Sequence, residues 1–279
     1  MDAYIYGERR SLPEGFAAYH DRWRSAVVSI DMHQGHLADT PDCPCPAPRA
    51  RELVAPIDAF HDQARGLGVL IIHVRTILRK RGVDDVNGLK AAWRLVFPLY
   101  AGNIPNADEH GIEGTRWTEF VTRVEAEDLT VNTKKRLSAF YPTDLDFLLR
   151  NLGVRTVVLN GGFTDCCILN AAFDASNLGY NLVVLRDLVR GTNQEMEDAA
   201  LKIVHPQIRP CQRESERHRR GAAKKRAGSG ACPACPTITS SPRLHRSPTL
   251  ERFVADSPLE EAGFEPLGPA VRSAAGRRH

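Results

Sequence analysis

Residues 156–180 read TVVLNGGFTDCCILNAAFDASNLGY, and their pattern decides the fold. The first five residues are apolar and mostly β-branched, which suits a strand buried on both faces. Beyond them Ile168, Ala171, Ala172, Ala175 and Leu178 recur at the spacing of a helix that buries one side. Two glycines and two cysteines therefore fall at the junction of a strand and the first turn of a helix. There the helix dipole and free N–H groups favour a thiolate, so the position predicts a pKa below the ~8.5 of free cysteine.

The same alternation repeats on either side. AVVSID (26–31) is strand-like and precedes a helical stripe of Leu53, Ile57, Phe60, Ala64 and Leu67 that ends at Gly68. VLIIHVRT (69–76), LTVNT (129–133) and NLVVLRD (181–187) read as further strands. Thr143 predicts the N-cap of a helix carrying Leu145, Leu148, Leu149 and Leu152 and stopped by Gly153; a last helix covers about 193–204. The whole predicts an α/β fold, a doubly wound, mostly parallel sheet with helices on both faces in three α/β/α layers. Ligands of such sheets bind beyond the carboxyl ends of the strands, where strand order reverses. That rule selects Asp31, the residues after Thr133, and the cysteine turn. Residues 77–128 mix Gly, Pro, Trp and charge without sustained periodicity, and read as an insertion with short helices that shapes a pocket or an oligomer contact.

Composition bounds the rest. The 279 residues are 42% hydrophobic and 25% charged, as in ordinary soluble proteins. No apolar run approaches the ~20 residues of a membrane span, and MDAYIYGERRSLPEGF lacks the apolar stretch of a secretory signal, so a cytoplasmic location is expected. Seven irregularly spaced cysteines do not form a secreted disulfide framework. Residues 206–279 hold 14 Lys/Arg against 7 Asp/Glu, leaving 23 against 27 before them, so an acidic body carries a basic tail. Residues 1–25 read as an N-terminal extension and 26–205 as the chemical domain. The Arg-, Pro- and Ser-rich tail from 206 reads as disordered, and its abrupt composition also fits a frameshifted reading frame. Within it, CPAC (232–235) is one C-x-x-C pair without a partner pair, and RHRRGAAKKR (217–226) lacks interleaved aromatics. Zinc or nucleic-acid binding by the tail is therefore the lesser expectation, and a non-catalytic protein binding nucleic acid is the alternative from another class.

A thiolate is a nucleophile, and a nearby carboxylate could take the thiol proton and later deliver it to a leaving amine. Asp31 is that carboxylate, and Lys134 or Lys135 could hold it. VVSIDM (27–32), KKRLSAFYPTDLDFLLRNLGV (134–154) and VVLNGGFTDCCILNAAFDASNLGY (157–180), in this order, resemble the isochorismatase-like cysteine hydrolases, which include nicotinamidases, N-carbamoylsarcosine amidohydrolase and ureide hydrolases. The resemblance implies a triad of Asp31, Lys134 and Cys167, with Cys166 packing behind. It implies a cis peptide at Gly162–Phe163 and an oxyanion hole from the N–H groups of Phe163 and Cys167. It also implies hydrolysis of a C–N bond in a small amide, carbamoyl or ureide compound through a thioester, without a cofactor, in a homo-oligomer (dimer or tetramer). An isochorismatase-type hydrolase of a non-amide small molecule is the alternative within enzymes. Where many members continue DMQNDF this chain has DMHQGHL, which places His33 and His36 near the site; Trp93, Trp117 and Arg136 are further candidates for substrate contact. Metal-binding nicotinamidases carry a D-x-H arrangement after the second strand, and VRTILRKRG (74–82) has none, so no metal is expected.

Overall fold

All six residues of Ser25–Ile30 are buried, as a strand between two helical layers requires. The computed structural model describes residues 2–6, 8–85, 87–90, 92–204 and 207–208. In chain order the elements are β1 (Asp2–Ile5), β2 (Glu8–Ser11), β3 (Ser25–Ile30), α1 (Gln34–Leu37), α2 (Pro48–Arg51), α3 (Val54–Gly66) and β4 (Leu70–Thr76). They continue with α4 (Ala92–Ala101), β5 (Leu129–Lys134), α5 (Leu145–Asn151), β6 (Thr156–Gly162), α6 (Leu169–Asn177), β7 (Asn181–Arg190), α7 (Gln194–Ile203) and β8 (Gln207–Ile208). Among the described residues the strands form one sheet in the order β2-β1-β8-β7-β6-β3-β4-β5. The pairings from β8 through to β5 are parallel, and β1 joins β8 and β2 antiparallel.

The chain runs outward from β3 to β5, then returns to β6 beside β3 and runs outward the other way. Strand order thus reverses between β3 and β6, and the carboxyl ends of both open onto the same crevice. Apolar residues fill both faces of the sheet. Leu145 and Leu149 of α5 and Ala171 and Ala175 of α6 pack with Val28, Ile72 and Leu159 on one side. Leu53 and Ile57 pack with Val183 and Leu185 on the other. Each fully buried aliphatic side chain of this kind contributes about 1.5–3 kcal/mol. No helix among the described residues is long and apolar enough to cross a membrane.

Two boundaries differ from those the sequence predicts. A short strand stands where the sequence reads as the start of the tail: Gln207 and Ile208 pair in parallel with Val184 and Leu185. Two residues in HPQIRP, hemmed by Pro206 and Pro210, are too short for a period-two signal. Residues 1–25 are also more than an extension, because the β1–β2 hairpin lengthens the sheet and Tyr4 pairs with Gln207. The tail from 209 onward, with CPAC and the basic run, lies outside the described residues. The 77–128 segment does hold short helices. Its last third docks on the site side of the sheet: Leu78 N donates to Gly111 O (2.6 Å), Glu113 N to Leu78 O (2.8 Å) and Val121 N to Met32 O (2.9 Å).

Candidate active site

Four strand ends, those of β3, β4, β5 and β6, meet in one buried network. Asp31 follows β3 with φ of +55°, and its backbone N donates to Val74 O (2.8 Å), which turns the carboxylate across the end of β4. Asp31 Oδ1 accepts from Thr76 N (2.9 Å) and Thr76 Oγ1 (3.0 Å). Lys134, the last residue of β5, is 1% exposed. Its Nζ donates to Asp31 Oδ2 (2.7 Å), Thr76 Oγ1 (2.7 Å) and Cys167 Sγ (3.4 Å), so each ammonium proton has an acceptor. Thr76 faces Lys134 across a register shift between β4 and β5, which is what lets its hydroxyl reach both partners. Lys135, the neighbouring cation, points elsewhere and donates to Ile77 O.

The nucleophile turn explains its own glycines. A Cβ at Gly161 (φ +108°) would lie 2.2 Å from Ile30 O, so β6 can lie against β3 here only without a side chain. The Gly162–Phe163 peptide is cis, as is Tyr141–Pro142. Thr164–Ile168 then forms a π turn that runs into α6. Asp165 Oδ1 accepts from Thr192 N (2.8 Å) and fixes this turn to the loop after β7.

Electrostatics divide the three groups. Burial alone would raise the Asp31 carboxyl, but the Lys134 ammonium, with His33 beside it, holds it well below the usual carboxylate range. Burial opposes the Lys134 charge, yet Asp31 and Cys167 keep its pKa above the ordinary lysine value. Cys167 departs from the expectation of a lowered pKa. Burial pushes its thiol far up, and the Asp31 charge adds to this against the opposing pull of Lys134. The helix-terminus argument failed because it omitted desolvation and the adjacent carboxylate. Burial likewise raises Cys166 to about 11.

A cavity of about 80 Å³ opens beside Cys167 and is lined by Asp31, Thr76, Lys134, Arg136, Leu137, Phe163 and Thr192, together with His36, Cys45, His110 and Cys166. Of the candidates for substrate contact, His36 and Arg136 face this space. Arg136 is steadied by bonds to Lys135 O (2.8 Å) and Asp84 O (3.0 Å). His33 is fully buried behind it, with Nε2 3.7 Å from Asp31 Oδ1. Trp117 does not serve as expected: it packs with Ala38 and Cys43 in the core and donates Nε1 to Glu109 Oε2 (2.9 Å). The Trp93 side chain lies outside the described residues. Cys166, expected only to pack, also lines the cavity.

Sequence reasoning missed Thr76, Cys45 and His110. Thr76 ends a predicted strand beside Asp31, and that register was an available signal. His110 and Cys45 sit in loops without periodicity. A Cβ at Gly111 (φ +68°) would lie 3.1 Å from Thr76 O, so glycine there lets the loop bring His110 against the strand ends. His36 Nδ1 donates to Cys45 O (3.0 Å), and His36 Nε2 lies 3.1 Å from His110 Nε2. Burial, with His33 adding to it, lowers His36 to about 3, and burial with His36 lowers His110 well below the usual histidine value.

Comparison with known proteins identifies the family. Residues 25–214 match the family model described as the isochorismatase domain. Maleamate amidohydrolase of Pseudomonas putida is 30% identical over 179 residues, 64% of this chain and 78% of that protein. The isochorismatase family protein YwoC of Bacillus subtilis is 36% identical over 94 residues, where the match spans 33% of this chain and only 49% of YwoC. The crystal structure of an isochorismatase family protein from Desulfovibrio vulgaris superposes with a TM-score of 0.54 at 26% identity, covering 64% of this chain and 88% of that one. Nicotinamidase PncA of Bacillus subtilis shares the fold, with a TM-score of 0.54 at 24% identity over 67% of this chain and all of that one. With the family model covering both strand ends at the switch point, the third strand end and the cysteine turn, the chain belongs to the isochorismatase family.

Proposed function

We propose that this chain hydrolyses a C–N bond in a small amide, carbamoyl or ureide compound through a thioester on Cys167. The observation that carries the reading is Lys134 Nζ, buried and bonded at once to Asp31 Oδ2 and Cys167 Sγ. As Cys167 attacks the carbonyl carbon, its proton passes to Asp31. The negative charge moves from carboxylate to sulfur but stays within reach of the same ammonium, so a thiol that rests neutral is activated only during attack. The N–H groups of Phe163 and Cys167 take the developing oxyanion. Protonated Asp31 then gives its proton to the departing nitrogen, which leaves as amine or ammonia. In the second half Asp31 removes a proton from water, the hydroxide attacks the thioester carbon, and the acid departs as Cys167 Sγ recovers a proton. These steps need only the chain's own residues, a small-molecule substrate and water.

The small cavity and its apolar walls at Leu137 and Phe163 favour a compact planar substrate, and Arg136 favours one bearing a carboxylate. Similarity to maleamate amidohydrolase supports an acidic amide as the first substrate to try. The reading includes self-association through α4, which exposes Leu95, Val96, Leu99 and Tyr100. Ammonia release from maleamate, N-carbamoyl amino acids, ureides and nicotinamide by wild type and Cys167→Ala tests it. Release by wild type alone supports the thiol mechanism. Equal turnover by the variant moves the activity to a reaction that does not use the thiol.

A further inference from the structure

A second cavity, of about 140 Å³, adjoins the catalytic one, and the mechanism above does not use it. Phe163 and Thr192 line both, so the two spaces share a wall at the residue where the cysteine turn begins. Its other walls are Pro46, Ala47, Pro48 and Ala50 from the turn into α2, and Tyr100 and Ala101 from the end of α4. Proline fixes φ, so the 46–48 wall is stiff. The polar groups here are already engaged. Arg49 donates Nη1 to Gly191 O (3.0 Å) and Nη2 to Gln194 Oε1 (2.7 Å), and pairs with Glu197 (3.0 Å). Gly191 N donates to Glu197 Oε2 (2.9 Å) and Thr192 N to Asp165 Oδ1 (2.8 Å). What faces a guest is therefore mainly carbon, and the size suits a ring, since apolar protein cavities of about 150 Å³ take up benzene.

The orientation of a guest rests on the proposed hydrolysis, in which Asp31 protonates the departing nitrogen. That nitrogen lies on the side of the carbonyl carbon facing Asp31, Thr76 and Lys134, and none of these three lines the second cavity. The acyl group points the other way. We infer that the second cavity is an acyl subsite for an apolar group of about phenyl size, while the catalytic cavity of about 80 Å³ holds the reacting group. Arg136 lines the catalytic cavity alone, so a carboxylate and the apolar arm occupy separate places. Tyr100 and Ala101 close the subsite from α4, so the segment between β4 and β5 reads the length of the acyl group through them. The arm stabilises the bound state in proportion to the apolar area it removes from water.

An aldehyde probes the subsite without turnover. The Cys167 S–H adds across its C=O, sulfur to carbon and proton to oxygen, and nothing leaves; the aldehyde's carbon chain then stands where the acyl substituent would. Propanal and 3-phenylpropanal, each carrying carbon-13 at the aldehyde carbon, are titrated into the full chain. The hemithioacetal resonance that Cys167→Ala lacks gives each dissociation constant, corrected for the same aldehyde's equilibrium with N-acetylcysteine. The expected result is capture of 3-phenylpropanal at least about 10-fold tighter than of propanal. In Ala101→Trp, where an exposed position fills the cavity from outside, that advantage should fall below about 3-fold. Equal constants for the two aldehydes, no adduct with either, or an undiminished advantage in folded Ala101→Trp overturns the inference. The wild-type comparison decides the matter even if the variant fails to fold. Ammonia release plays no part in it, so failure of the subsite and failure of the hydrolase reading show in different experiments.

Discussion

Lys134→Met removes a buried charge while keeping the length of the side chain. The ammonium it deletes makes two 2.7 Å bonds, to Asp31 Oδ2 and Thr76 Oγ1, and a 3.4 Å contact with Cys167 Sγ. Breaking a buried ion pair from one side costs about 3–5 kcal/mol, because the remaining charge is left without compensation. The two Thr76 donors to Asp31 survive and offset part of the loss, which sets the expected cost near 3 kcal/mol at pH 7.5. The pH dependence changes sign. In the wild type the folded Asp31 pKa lies below the unfolded value of about 3.9, so its ionisation stabilises the protein above that pH, and the gain is lost as pH falls through the folded pKa. In the variant burial dominates and raises the folded pKa. Ionised Asp31 then becomes a cost that grows as pH rises from about 4, by about 1.4 kcal/mol for each unit separating the two states. Urea denaturation of both proteins at pH 7.5 and 4.5 should show a stability difference that shrinks at the lower pH, and kcat/KM should fall about 10²- to 10³-fold. A variant as stable as wild type at pH 7.5, or an equal deficit at both pH values, would refute the claim that Lys134 holds Asp31 ionised.

Other predictions follow from the same geometry. Thr76→Val keeps the shape of the side chain but removes the hydroxyl between Lys134 and Asp31, so activity should drop about 10- to 100-fold, a barrier change of about 1.4–2.7 kcal/mol; unchanged kcat/KM would show the hydroxyl to be idle. Gly161→Ala should lose more than about 3 kcal/mol of stability, measured by thermal or urea melts, since its Cβ would lie 2.2 Å from Ile30 O. The difference in 240 nm absorbance between wild type and Cys167→Ala should show no thiolate titration below pH 9, because burial raises that pKa; a step below pH 8 would contradict a neutral resting thiol.

The sequence made the frame of this molecule legible because its strands are buried on both faces and its helices on one. Those constraints write continuous apolar runs for β3, β4 and β6, and the stripe that buries Ile57 and Ala64 in α3. The reversal of strand order then nominated Asp31, the residues after Thr133 and the cysteine turn, and the resemblance to the isochorismatase-like hydrolases narrowed these to Asp31, Lys134 and Cys167 before any distance was known. What stayed hidden depends on tertiary contact rather than on period. Thr76 acquires its role through a register shift between β4 and β5, and His110 through a glycine turn in a segment with no repeating pattern. Two-residue β8 carries no periodicity, yet it places the N-terminal hairpin on the sheet. The state of the Cys167 thiol was misread because a helix terminus is a local feature, whereas burial and the Asp31 charge come from other parts of the chain.

The central claim is that Cys167 carries the acyl group. Wild-type protein mixed with a substrate from which it releases ammonia, quenched in acid through the first turnovers and digested for mass spectrometry, tests it most directly. The account predicts a mass increase equal to the acyl fragment on the peptide containing Cys167, removable by hydroxylamine, with neither adduct nor ammonia from Cys167→Ala. Ammonia released at the wild-type rate by Cys167→Ala, with no acyl group on Cys167 of the wild type at any time, would contradict it.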